Sequence, residues 1–220
     1  MMLVEEIMNT NVITLQPSNT IKDAVKIMKE HKIRHIPLTD ENNTLVGLIT
    51  ERDLKNALPS SLIKNKDESV YAQKLETVMI PQPIVGHPLD FIEELALILY
   101  EQRIGCMPIV SGGKLVGIIT GTDLLYAYIE ITGATKPSSQ IEIRVYDKIG
   151  TLHEITQIFA KHHASILSVL VYPDTQNEKH KILSIRVTIM NPLPIIDDLR
   201  KEGFDVLWPN MPGMPGINRL

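Results

Sequence analysis

Two stretches hold residue types that could grip an anion and a vicinal diol: Gly47-Leu48-Ile49-Thr50-Glu51-Arg52-Asp53 and Gly117-Ile118-Ile119-Thr120-Gly121-Thr122-Asp123. An aspartate can accept both hydroxyls of a diol such as ribose in a charge-assisted pair. A threonine hydroxyl and the free N–H groups of a helix's first turn can donate to phosphate. Arg52 adds a cation to the first copy, where the second has Thr122. The same Thr-x-x-Asp spacing is also that of a capping box, with Thr at the N-cap and Asp three residues on. Spacing alone therefore leaves two readings open: a helix cap, or a cap that also meets a ligand.

The elements that position these residues occur twice. A shift of 71 superimposes Met8 on Met79, Ile13 on Ile84, Pro17 on Pro88 and Pro37 on Pro108; after a turn one residue shorter the shift becomes 70. Ile21, Ala24, Val25 and Met28, like Ile92, Leu95, Ala96 and Leu99, follow helical spacing and predict one buried stripe each. Asn19 or Thr20, and Asp90, are candidate caps. Arg34–Leu38 with Leu45–Ile49, and Cys106–Val110 with Lys114–Ile119, read as hairpins, and a second helix follows each Thr-x-x-Asp. Short strands at Val12–Leu15 and Ile84–Val85 complete a β-α-β-β-α unit. About 60 residues bury little core alone, so the two units are expected to pair. Arg34 and His35 stand where the second copy has Gly105 and Cys106, which predicts two unlike clefts, the second smaller and uncharged.

After Gly133–Ser139 the pattern changes. Ile141, Ile143 and Val145 alternate as a strand, Asp147–Gly150 turns, and a Thr151-x-x-Glu154 box opens a helix containing Ile155, Ile158 and Phe159. Ile166–Tyr172, Leu183–Ile189 and Asp205–Trp208 read as strands, with a helix from Asn191-Pro192 through Leu199. This is a β-α-β-β-α-β, ferredoxin-like order, so the whole chain is α+β. The expected divisions are 1–58, a linker 59–73, 74–132, a linker 133–139, 140–212 and a tail 213–220.

The chain carries 22 Lys+Arg against 26 Asp+Glu, with its cations dispersed, which argues against nucleic acid as a partner. No apolar run reaches the roughly 20 residues of a membrane span, and the N-terminal residues, with Glu5 and Glu6, do not read as a signal peptide. A single cysteine, Cys106, fits a reducing compartment and reads first as a small buried hydrophobe. His162 and His163 point to different sides of a helix, away from His153 and His180, so no metal site is expected. Asp197-Asp198 reads as a solvated helix face. Nucleophile elbow, Walker loop and paired catalytic carboxylates are all lacking from the sequence, so no catalytic residues are assigned.

The repeated strand-turn-strand-Thr-x-x-Asp order resembles the CBS domain, over about the first 130 residues. The resemblance implies a regulatory module that binds an adenine nucleotide or another adenosyl compound such as AMP, ADP or ATP. It implies that Thr50 and Thr120 meet phosphate, that Asp53 and Asp123 hold ribose, and that Ile13, Pro37, Ile84 and Pro108 enclose adenine. Arg34, His35, Arg52, Cys106 and Thr122 are further candidate ligand contacts. The last third is similar to the ACT domain, which implies a dimerising module or a site for an amino-acid-like effector near Gly150, although Ile149 replaces the frequent proline.

The full arrangement, with Ile33-Arg34-His35, His87-Pro88-Leu89-Asp90-Phe91, Ser168-Val169-Leu170-Val171-Tyr172-Pro173 and Met190-Asn191-Pro192-Leu193-Pro194, resembles the acetoin-utilisation family. That likeness implies a cytoplasmic, non-enzymatic regulator of acetoin or butanediol catabolism, expected as a homodimer with a protein partner in the control of acetyl-CoA synthetase. An assembly module without ligand and an enzyme acting on the nucleotide are the alternatives.

Overall fold

A computed structural model describes residues 2–58 and 68–209; residues 59–67 of the expected linker, 210–212 of the last expected domain, and the expected tail lie outside them. The chain forms two compact units, Met1–Leu125 and Tyr126–Leu220. The first repeat contributes α1 (Ile21–His31), β1 (His35–Thr39), β2 (Leu45–Thr50) and α2 (Glu51–Ala57). After β3 (Ile80–Pro81), the second contributes α3 (Ile92–Gln102), β4 (Cys106–Ser111), β5 (Lys114–Thr120) and α4 (Gly121–Thr132). Both hairpins are antiparallel, pairing His35 with Thr50 and Cys106 with Thr120. α1 buries Ile21, Ala24 and Met28, and α3 buries Ile92, Leu95 and Leu99, the stripes their spacing predicts.

The expected strands at Val12–Leu15 and Ile84–Val85 shrink to single parallel bridges, Leu15 to Leu38 and Gly86 to Ile109. Proline explains both. Leu15 N–H donates to Pro37 O and Thr39 N–H to Leu15 O; a longer ladder would need donors from Pro17 on one side and Pro37 on the other. In the second repeat the corresponding donors would be Pro88 and Pro108. None of the four has an N–H, so each ladder stops after one residue.

The lead-in segment of each repeat crosses to the other. β3 pairs with β2, setting Pro81 against Gly47 and Ile80 against Leu48, and Asn9 bridges to Ile118 in β5. The crossing is reciprocal in its hydrogen bonds: Leu75 and Glu76 donate to the carbonyls of Asn19 and Pro17, while Val4 and Glu5 donate to those of Asp90 and Pro88. A Cβ on Gly47 would stand 2.6 Å from Met79 Sδ, and one on Gly117 would stand 2.5 Å from Met8 Sδ. The repeated glycines are thus seats for the other repeat's methionine. Leu75 is fully buried in the first repeat's core with Ile21, Ile36 and Ile49, and a 3-10 turn at Glu68–Ala72 sets Val70 and Tyr71 against the same cluster.

The second unit has a four-stranded antiparallel sheet in the order β7-β8-β6-β9, made of β6 (Ser139–Tyr146), β7 (Ile166–Pro173), β8 (His180–Val187) and β9 (Asp205–Trp208). α5 (Thr151–Lys161) and α6 (Leu193–Lys201) bury Ile155, Phe159, Ile195, Ile196 and Leu199 against Ile141, Ile143, Leu183 and Ile185. This is the ferredoxin-like order expected. Two details differ. Asp198 is not a plain solvated residue: it holds Lys161, His162 and Lys201 at 3.0–3.1 Å, tying α6 to α5, and these partners keep its carboxyl well below the usual range. Thr151 does not cap α5; Gly150, at φ +93, is the N-cap residue, and the Thr151 hydroxyl donates to Lys148 O.

Candidate functional site

Both repeated aspartates form the capping boxes that their spacing allows. Asp53 Oδ2 accepts from the Thr50 N–H at 2.9 Å and from its hydroxyl at 2.6 Å, and the Asp53 N–H donates back to Thr50 Oγ1 at 3.3 Å. Asp123 treats Thr120 the same way at 2.7, 2.6 and 3.4 Å. A third box opens α1, where Asp23 and Thr20 repeat the geometry at 2.9, 2.7 and 3.3 Å. Since α1 carries no Gly-x-x-Thr-x-x-Asp phrase, the box by itself says nothing about a ligand. All three boxes use Oδ2, and Oδ1 of Asp53 accepts no hydrogen bond among the described residues. Capping and ligand contact can therefore coexist on one carboxylate. Asp90 does not cap α3; it accepts from His87 N–H, closing the turn before it as Asn19 does with Gln16 N–H.

What sets the two phrases apart is an open cleft of about 860 Å³ in the first unit. Its first-repeat wall holds Arg34, His35, Thr50, Arg52 and Asp53; its second-repeat wall holds Arg103, Cys106, Thr120 and Thr122. Leu48, Ile80, Pro83, Ile84 and Ile104 supply apolar surface. Residues expected of two separate clefts, Arg34, His35, Thr50, Arg52 and Asp53 of the first and Ile84, Cys106, Thr120 and Thr122 of the second, meet in this shared cleft, where β3 pairs with β2 and carries the second repeat's lead-in to the first repeat's wall. Ile13, Pro37, Pro108 and Asp123 do not line it. Pro37 and Pro108 are buried at the centres of their hairpins, opposite Leu48 and Ile118. Arg103, Ile80 and Pro83 are not singled out by the repeat comparison, and Ile104 stands there only as the apolar counterpart of Ile33.

His35 and Cys106 are counterparts at the mouths of the two hairpins, and both stay neutral near pH 7. Burial, helped by Arg34, holds the His35 imidazole below its usual value against the opposing pull of Glu51 and Asp53. Burial, helped by Asp53, pushes the Cys106 thiol up to about 12. Cys106 packs with Leu48 and Ile118 where the repeats meet, which accords with its reading as a small hydrophobe. His35 occupies the space opposite Gly105, where a Cβ would lie 3.0 Å from its Nε2. Glu51 is occupied by Lys55 at 2.7 Å.

In the second unit Gly150 takes the left-handed conformation that starts α5, and Ile149 beside it is fully exposed. His162 binds Asp198, His180 stacks on Tyr146 at 4.3 Å, and His153 meets Gln157. No group of three potential metal ligands occurs among the described residues, and none of the described helices is long and apolar enough to cross a membrane.

Comparison with known proteins bears on the fold and the ligand class. The CBS domain model matches residues 4–60 and 75–130, and the ACT domain model matches residues 139–204. A Vibrio cholerae protein provisionally assigned to acetoin utilization (AcuB) is 32% identical, with a TM-score of 0.54 over 61% of this chain and 96% of that one. Arabidopsis thaliana CBSX2, solved with AMP, is 27% identical, with a TM-score of 0.52 over 59% of this chain and 97% of that one. The CBS pair of protein MJ0100, solved with 5′-methylthioadenosine and S-adenosyl-L-methionine, is also 27% identical, with a TM-score of 0.51 over 61% of this chain and 98% of that one. Methanocaldococcus jannaschii MJ1225 is 29% identical over 203 residues, 91% of this chain, which spans 65% of that protein's length.

Proposed function

Because this chain belongs to the CBS-domain family, with two CBS repeats followed by an ACT domain, we propose that it is a non-enzymatic sensor whose shared cleft binds an adenine nucleotide. The observation that carries this reading is Asp53: it lines the cleft while its Oδ2 alone serves the cap. Its other oxygen accepts the ribose hydroxyls, Thr50, Thr120 and Thr122 face phosphate, and Ile80, Ile84 and Ile104 cover adenine. That related CBS pairs were solved with AMP, 5′-methylthioadenosine and S-adenosyl-L-methionine supports the ligand class. Binding across both walls favours one arrangement of the repeats over others, a population shift that a partner can read. The likeness to the Vibrio protein supports a role in acetoin utilization, and the proposal is completed by a cytoplasmic homodimer, in acetoin or butanediol catabolism, acting on a protein that controls acetyl-CoA synthetase. The ACT domain then dimerises or holds an amino-acid-like effector.

Calorimetry with AMP, ADP, ATP, NAD and S-adenosylmethionine tests the reading. At least one compound is expected to bind in the micromolar to sub-millimolar range, and silence across the panel sinks the proposal. The cap at Thr20 and Asp23 favours one rival, a ligand-free assembly module whose boxes only start helices. That module's melting temperature would ignore every nucleotide.

A further inference from the structure

The cleft's ionisable side chains are Arg34, Arg52, Lys55 and Arg103 against Glu51 and Asp53, beside a neutral His35 and Cys106, in a chain whose formal net charge is −4. The excess of positive charge is local, and a concave wall concentrates it. Lys55 and Glu51 satisfy one another at 2.7 Å. Arg34, Arg52 and Arg103 are exposed and make no side-chain hydrogen bond or ion pair among the described residues. Three unpaired guanidiniums on the walls of one cleft offer forked donors matched to phosphate oxygens. Repetition does not account for them: the counterparts of Arg34 and Arg52 are Gly105 and Thr122, and the counterpart of Arg103 is Lys32, which lies off the cleft. Arg103 and Lys32 share a left-handed backbone at φ 53 and 55, so that conformation belongs to the helix end. The cleft-facing side chain is what distinguishes Arg103.

We infer that the cleft selects adenosine ligands by the negative charge of their 5′ substituent, preferring nucleoside di- and triphosphates to neutral thioethers and cationic sulfonium compounds, and that Arg103 is a specificity-determining residue supplied by the second repeat to a phosphate chain anchored on the first. The inference rests on the nucleotide reading above. Arg34 and Arg52 take the phosphate nearest Thr50, and Arg103 meets the distal phosphates. A monophosphate reaches only the first wall, so affinity rises as the chain lengthens.

The test is a charge ladder in magnesium-free buffer: 5′-methylthioadenosine, S-adenosylmethionine, AMP, ADP and ATP titrated into the full-length protein, its Arg103→Gln variant and its Arg103→Lys variant. The wild type is expected to bind ATP and ADP more tightly than AMP, and AMP more tightly than either sulfur compound. Arg103→Gln should weaken ATP by about tenfold, the loss of one charge-assisted contact, while leaving 5′-methylthioadenosine within about twofold. Arg103→Lys should restore part of the ATP affinity, and only the phosphorylated ligands should weaken with added salt. Tightest binding of S-adenosylmethionine or 5′-methylthioadenosine, or an equal loss for every ligand in Arg103→Gln, overturns the charge inference and leaves the nucleotide reading standing. No binding by any of the five overturns both.

Discussion

The helix starts at Thr50 and Thr120 share a cap, differing by no more than 0.2 Å in any of three hydrogen bonds, yet Asp53 lines the cleft and Asp123 does not. Their surroundings differ in kind. Around Asp53 stand Arg34, His35 and Arg52; the second copy places Gly105, Cys106 and Thr122 at those positions. Duplication preserved the feature each helix needs to begin and let the rest of each copy diverge. The cap serves the start of its own helix, whereas ligand contact requires a shared wall.

The largest expected break in this comparison is in binding. Asp53→Ala should lower nucleotide affinity roughly ten- to a hundredfold, the cost of about 1.5–3 kcal/mol for a hydrogen bond to a charged group. Asp123→Ala should change affinity by no more than about threefold; equal losses from both, measured by calorimetry, would show that the two ends serve a ligand alike. Where the copies are symmetric, the effects should match. Gly47→Ala and Gly117→Ala each force a methyl onto a methionine sulfur and should cost about 1–3 kcal/mol in denaturant unfolding. Replacing Met79 with Ala alongside Gly47→Ala should recover part of that loss.

Smaller effects separate capping from binding. Thr20→Ala, Thr50→Ala and Thr120→Ala should each lower stability by about 0.5–2 kcal/mol. Only the latter two should also weaken nucleotide, because Thr20 lies off the cleft. The smallest effect is a pH dependence that His35 brings and its counterpart Cys106 does not. His35 is held below its usual value in the folded state, so the unfolded chain takes up a proton first as pH falls. The stability it contributes is complete above about pH 6.5 and is lost on acidification through the lower folded value. Thermal melts between pH 7.5 and 5 should show a shallower acid loss for His35→Gln than for wild type, with Cys106→Ala keeping the wild-type slope.

Legibility followed the range of the interactions. The stripes of α1 and α3, the hairpins, the Thr-x-x-Asp caps and the order of the second unit come from contacts a few residues apart, which periodicity and spacing report directly. Failures occurred where a distant partner decided the outcome. Asp198 reads as solvated until α5 brings Lys161 and His162 to it. One failure was local: Thr151-x-x-Glu154 reads as a box, but the preceding Gly150 turns left-handed and takes the cap position.

The sequence by itself determined the duplication, the caps and the unlike residues at equivalent places, including Arg52 against Thr122. It also carried the reason for the truncated ladders, since Pro17, Pro37, Pro88 and Pro108 remove the donors in advance. Only the tertiary structure decided that the two phrases meet one cleft, that Asp53 belongs to it while Asp123 stays outside, and that Arg103 joins Arg34 and Arg52. The physical reason is the reciprocal crossing of the lead-in segments. β3 reaches β2 through contacts more than 30 residues apart in the chain, with Met79 seated on Gly47, and no local pattern reports which strand such a segment will meet.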